Sequence, residues 1–229
     1  MLFKPLLGDQ LSGSIGGITA SRNRGGSYFR ERAVPVNPAT PFQVAVRSLF
    51  AQLASVWQQT LTDAQRAGWQ TYAENTPVVN RIGDVIILPA LAMYQRSNVP
   101  RLQSGFDRVD EPPSTFGLPE FTPAFAQAVN APANEAAIGF ANSDPWANQD
   151  DAAMLVFASR PQSPAVNFFK GPYRLAGSID GDATTPPASP ATIALPFPVV
   201  AGQRVFFRVR VVTADGRAST SQRFQGTAI

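Results

Sequence analysis

Residues 11–30 hold five glycines among Ser, Thr, Asn and Arg side chains and show no helical period. A segment of this kind gains little by collapsing on itself. Glycine loses the most conformational entropy on ordering and brings no side chain to bury. Ile15, Ile18, Tyr28 and Phe29 are its apolar anchors, and Ser27–Val34 alternates as a strand does. Residues 1–36 are therefore expected to form an extended arm that needs a partner to order it. Its contact residues would be Ile15, Ile18, Arg22, Arg24, Tyr28, Phe29, Arg30 and Arg32.

The next stretch changes character. Thr40, Pro41 and Gln43 form a helix start, with a capping residue, a proline at the first helical position and a T-x-x-Q box. Phe42, Val46, Leu49, Phe50, Leu53 and Trp57 then recur at steps of three or four, which predicts an amphipathic helix over 41–59. A second box, Thr62 with Gln65, opens a shorter helix over 63–75 with Trp69 and Tyr72 on its inner side. So short a connection implies an antiparallel hairpin. Pro89 opens a third helix over 89–98, closed by Pro100 and Gly105. Packing within this helical part is assigned to Phe42, Leu49, Phe50, Leu53, Trp57, Trp69 and Tyr72.

Beyond residue 120 the pattern is all-β. Candidate strands are 135–141, 152–159, 173–178, 191–195, 204–213 and 218–224, separated by Pro, Gly, Asn and Asp clusters. In the clearest of them Val205, Phe207, Val209 and Val211 share one face, and Phe206, Arg208, Arg210 and Val212 the other. Asp215-Gly216 turns the chain into the last strand. This resembles the final hairpin of fibronectin type III and immunoglobulin-like sandwiches. The expected fold is α+β and multidomain: an arm (1–36), a helical hairpin domain (37–103), a linker (104–119) and a β-sandwich (120–229).

Composition narrows the chemistry. The sequence has no His and no Cys. That removes imidazole bases, thiolate nucleophiles, disulfides and the common zinc sites. Asp107, Asp110, Glu111 and Glu120 lie in a Pro-rich linker, a poor scaffold for a carboxylate pair. Gly13-Ser-Ile-Gly16-Gly17 lacks the Lys-Ser/Thr and helix of a phosphate loop, and Asp180-Gly-Asp182 lacks the frame of a calcium loop. The expectation is a non-enzyme without catalytic residues, cofactor or metal. There is no apolar run of membrane-spanning length and no secretory pattern at the start.

Charge is unevenly placed. Residues 111–159 contain six acids and no base, whereas residues 1–47 and 160–229 are net basic. Acidic and basic segments of one chain could meet on neighbouring subunits. The Arg-rich arm could alternatively contact DNA, and exposed aromatics near Trp146 or Phe168-Phe169 could serve a glycan.

The order of motifs in residues 10–105 resembles a group of structural proteins from tailed-phage and prophage gene sets. Its elements here are Gly13-x-x-Gly16-Gly17, Arg32-x-x-Pro35, Asn37-Pro38-x-Thr40-x-x-Gln43, Arg47, Trp57, Leu61-Thr62, Arg66 and Trp69. The resemblance implies a virion structural protein, made in the host cytoplasm and built into the particle. Within that class it implies capsid decoration or cement, or a neck or tail component. Its partners would be other virion proteins and copies of itself.

Overall fold

A computed structural model describes residues 2–3, 12–23, 26–80 and 83–229. Among the described residues the protein is α+β, with three α-helices, one short 3-10 helix (Pro145–Asn148) and four small antiparallel sheets. Two compact units are present, residues 1–41 and 42–229.

The first unit is a four-stranded sheet of order β1-β4-β3-β2, with β1 Leu2–Phe3, β2 Gly13–Ile15, β3 Ile18–Asn23 and β4 Gly26–Glu31. Ile15 pairs with Ile18 around Gly16-Gly17, and Gly16 has φ +56°. A positive φ at the first central position is what a type II′ hairpin turn requires. The expectation of an extended arm is corrected here: the strands satisfy their backbone groups by pairing with one another. Among the described residues Ala20 and Ser27 are buried, while the side chains at the hairpin end are exposed. Ile15 is 86% exposed and Ile18 54%. Residues 33–39 follow without helix or strand and are exposed.

The second unit begins with α1 (Pro41–Gln59) and α2 (Asp63–Glu74), close to the predicted bounds. The Thr62 box is formed in both directions. Gln65 N donates to Thr62 Oγ1 (3.2 Å), and Thr62 N donates to Gln65 Oε1 (2.8 Å). A two-stranded ribbon of β5 (Val78–Val79) and β6 (Val85–Ile86) precedes α3 (Ala90–Gln103). Leu53, Leu61, Trp69, Tyr72, Ala73, Met93, Tyr94 and Val99 make the helical core. Trp69 meets the rings of Tyr72 and Tyr94 edge-on, at 5.8 and 5.3 Å.

Two expectations about the helices are corrected. α2 packs mainly on α3 rather than on α1 as a simple hairpin would have it. The core takes in α1 only from Leu49 onward. Phe42 and Phe50, assigned to helical packing, are therefore 47% and 43% exposed, while Leu49 and Trp57 are half-buried. α3 also runs through Pro100 to Gln103 instead of closing at 98. Proline near a helix end costs one backbone bond, and here Arg101 secures the last turn from outside. Its Nε donates to Asp107 O (2.8 Å), and its Nη1 lies 3.0, 2.9 and 3.0 Å from the carbonyls of Asp151, Thr213 and Ala214. Residues 104–119 carry no helix or strand but are held on the helices: Trp69 Nε1 donates to Asp110 O (2.9 Å), and Gly117 N donates to Thr76 Oγ1 (3.1 Å).

Seven strands follow: β7 (Phe125–Asn130), β8 (Glu135–Gly139), β9 (Ala153–Ala158), β10 (Arg174–Asp180), β11 (Ala191–Ala194), β12 (Arg204–Val212) and β13 (Gln222–Thr227). They form one sheet of order β11-β8-β7 and another of order β10-β9-β12-β13. One core draws on both sheets, with Val129, Ile138, Trp146, Met154, Val156, Phe207, Val209 and Val211 fully or almost fully buried. At one edge the chain end crosses between the sheets. Ala228 bridges Val129 in parallel, and a Cβ on Gly226 would come within 2.7 Å of Val129. Only glycine allows that approach. The last strand starts four residues later than predicted, because Ala218 and Ser219 instead bond back to the end of β12. No helix among the described residues is long and apolar enough to cross a membrane.

Arg101→Met should lower the unfolding free energy by about 3 kcal/mol, since it leaves four carbonyls without a charged donor. Arg101→Lys should recover less than half of that, because an ammonium lacks the planar fork. Urea unfolding of both variants measures the difference.

Candidate functional site

Strand alternation divides the predicted contact residues of the N-terminal unit. Ile15, Ile18, Arg22 and Phe29 share one face of the sheet with buried Ala20, through the register pairs Ile15↔Ile18 and Ala20↔Phe29. A shallow apolar depression of about 370 Å³ lies between Ile15, Ile18, Ala20 and Phe29. Tyr28 and Arg30 point to the opposite face, where Ser14 and Thr19 hydroxyls bond at 2.7 Å. Arg32 follows the last strand and is exposed, with its N–H bonded to Gly17 O (2.9 Å). Arg24 lies outside the described residues. The structure thus gathers Ile15, Ile18 and Phe29 on one face but places Tyr28 on the other and spreads the arginines over both.

A second surface lies in the 42–229 unit. The outer face of the β10-β9-β12-β13 sheet is partly roofed by α1 and α3, leaving a cleft of about 730 Å³. Phe42, Val46 and Leu49 of α1, Val99 and Pro100 of α3, Phe157 of β9 and Leu175 of β10 make it largely apolar. Four arginines line it, Arg47, Arg174, Arg208 and Arg210, and no carboxylate does.

The register shows why the charges crowd. Arg208 and Arg210 sit two apart on β12, both on the face opposite the core. Arg208 lies directly across from Arg223 of β13, a like-charged pair that destabilises a sheet. Aromatic faces take up part of the cost. The Arg208 guanidinium lies 4.7 Å from the Phe157 ring and 5.3 Å from that of Tyr173, Arg223 lies 6.0 Å from Tyr173, and Arg174 lies 5.4 Å from Phe42. Arg210 Nε donates to Ser219 O (3.1 Å), but the buried Arg208 Nε has no hydrogen-bond partner. Among the described residues none of Arg174, Arg208, Arg210 and Arg223 forms an ion pair. Desolvation first, and then Arg96 and Arg208, push Arg210 down to about 9. Desolvation and Arg223 lower Arg208 in the same way.

The sequence reading missed this cleft. The alternation that placed Arg208 and Arg210 opposite the core was visible, and so was the shortage of acids after residue 160. The roof was not, because α3 was expected to stop before it could reach the sheet. The glycan suggestion is narrowed. Trp146 is buried, with its Nε1 donating to Asp144 Oδ2 (3.3 Å) and its ring 5.1 Å from Phe140, so it cannot be a platform. Phe169 stacks on Phe206, which leaves Phe168 as the exposed aromatic there. Asp110 is bound by Arg108 (2.8 Å) and by the Tyr94 hydroxyl (3.0 Å), where it joins the segment after α3 to the helical core. Among the described residues no cluster of three or more Asp or Glu could hold a metal.

Comparison with known protein families, curated proteins and solved structures finds no match to this chain.

The crowded cations should cost stability where they stand. Arg210→Met is expected to leave the unfolding free energy unchanged or raise it by about 1 kcal/mol. Raising NaCl should stabilise the wild type more than this variant, by screening the repulsion. Thermal unfolding at low and high salt checks both.

Proposed function

We propose that this protein is a structural component of a tailed-phage virion, a capsid decoration or cement protein or a neck or tail component. It would attach to neighbouring subunits through the N-terminal sheet. The observation that carries the reading is the apolar face of that sheet. Ile15 and Ile18 stand largely exposed on ordered strands, with the partly exposed Phe29 on the same face, before an exposed segment containing Pro35 and Pro38. Exposed apolar side chains gathered on one face are the usual mark of a protein contact. Among the described residues β2 is an edge strand, whose outer backbone groups a neighbour's strand could complete. The motif order of residues 10–105 supplies the lineage.

The strands of residues 125–227 support an immunoglobulin or fibronectin III-like sandwich as the second part of the proposal. Counted along the chain, the first, second and fifth strands make one sheet, and the fourth, third, sixth and seventh make the other. This is the immunoglobulin partition with the fourth strand moved to the opposite sheet. A module of this type suits a virion surface because its end loops vary without disturbing the core.

Replacing Ile15, Ile18 and Phe29 together by Ser should change the stability of the isolated chain by less than about 0.5 kcal/mol per site. The same change should remove the protein from purified particles, as read by quantitative mass spectrometry. Undiminished incorporation of the triple variant would exclude the sheet as the attachment surface.

A further inference from the structure

The arginine cleft is a different surface from the N-terminal sheet and calls for a different occupant. Its floor and roof are apolar, and among the described residues Arg174, Arg208 and Arg210 in it form no ion pair. The buried Arg208 Nε is left without an acceptor. A bare polyanion matches only the charge, since hydrated phosphates gain nothing from Phe42, Val46, Val99 and Leu175. An apolar segment carrying carboxylates matches both.

This chain presents such a segment. Residues 111–159 carry six acids and no base over 49 positions, and within them Phe116 stands 52% exposed between the exposed Glu111 and Glu120. The segment is held against α2 rather than in its own chain's cleft. Gln65 Nε2 donates to Glu111 (2.8 Å), Gly117 N bonds Thr76, and Pro112 packs so closely on Gly68 that a Cβ there would approach it to 2.6 Å. A segment already ordered loses little entropy on docking.

We propose that the cleft of one copy receives the Phe116 segment of a second copy, with the Phe116 ring on the apolar floor and Glu120 meeting Arg174 and Arg208. Cleft and segment are different surfaces of one chain, so the contact is head-to-tail and propagates, closing into a ring or continuing as a filament. The contact does not depend on the N-terminal sheet.

Sedimentation velocity on the full chain, over the widest soluble concentration range at low and high salt, tests this. Wild type should associate beyond the dimer and weaken as salt rises. Glu120→Arg and Phe116→Ser, both at exposed positions, should each weaken association about tenfold while leaving the circular dichroism unchanged. Arg174→Glu should do the same from the cleft side. If that variant fails to fold, the two segment variants decide the matter. Mixing Phe116→Ser chains with Arg174→Glu chains should favour dimers over larger species, because each pair retains one intact cleft and one intact segment. A wild type that stays monomeric throughout overturns the proposal, as do segment variants that associate normally. Association abolished by the Ile15/Ile18/Phe29 triple change but not by the segment variants assigns self-contact to the sheet instead. Salt-sensitive binding of a short DNA duplex that Arg174→Glu abolishes, in a chain that remains monomeric, overturns it in favour of nucleic acid.

Discussion

The 42–229 unit is organised around one guanidinium. Arg101 is almost fully buried and among the described residues forms no ion pair; its donors reach main-chain carbonyls, while Asp151, Asp215 and Asp107 attract it from farther off. Burying such a charge without those acceptors would cost several kcal/mol, so the position of α3 against the sheet is closely specified. Arg96 makes a second, parallel connection from α3 to Ala218 O and Ser219 O. Together they hold the chain that turns out of β12, and Phe106 is packed beside Ala153, Leu155 and Val212 as a result. The apolar wall that α3 contributes to the cleft through Val99 and Pro100 exists only because this helix cannot slide.

Local signals in the sequence were strong where a single side chain decides a conformation. Thr62 and Gln65 mark the start of α2, and the alternation from Val205 to Val212 marks β12 with its core-facing side. What could not be read locally depended on distant partners. Pro100 argues for a helix end on every local ground, and only carbonyls more than fifty and a hundred residues away extend the helix past it. β7, Phe125-Ala-Gln-Ala-Val-Asn, has little strand preference of its own and is a strand because β8 and the chain end pair with it. The amphipathic stripe of α1 was correctly periodic, but periodicity does not say how much of a stripe finds a partner. Phe42 and Phe50 lie on the part that does not. At the N-terminus the glycines were read as freedom, yet Gly16 uses that freedom to close a hairpin.

β12 departs from the usual economy of a sheet. Its inner face is an uninterrupted apolar row, whereas its outer face sets Arg208 opposite Arg223 and Arg210 close by. A sequence under pressure for stability alone would place an acid or an apolar residue at one of these positions. Local rules broken together on one cleft, offset among the described residues only in part by the Phe157 and Tyr173 rings, fit a surface completed by a partner.

The cleft is charged by guanidinium groups alone. The sequence has no histidine, and among the described residues its one lysine, Lys170, does not line the cleft. No group there changes protonation between pH 5 and 8, and none is a substrate for lysine acylation. A contact made through this surface would be indifferent to acidification and to the commonest charge-removing modification. Ionic strength and competing carboxylates would remain as its controls, so its strength would follow the salt of the surroundings rather than the biochemical state of a cell.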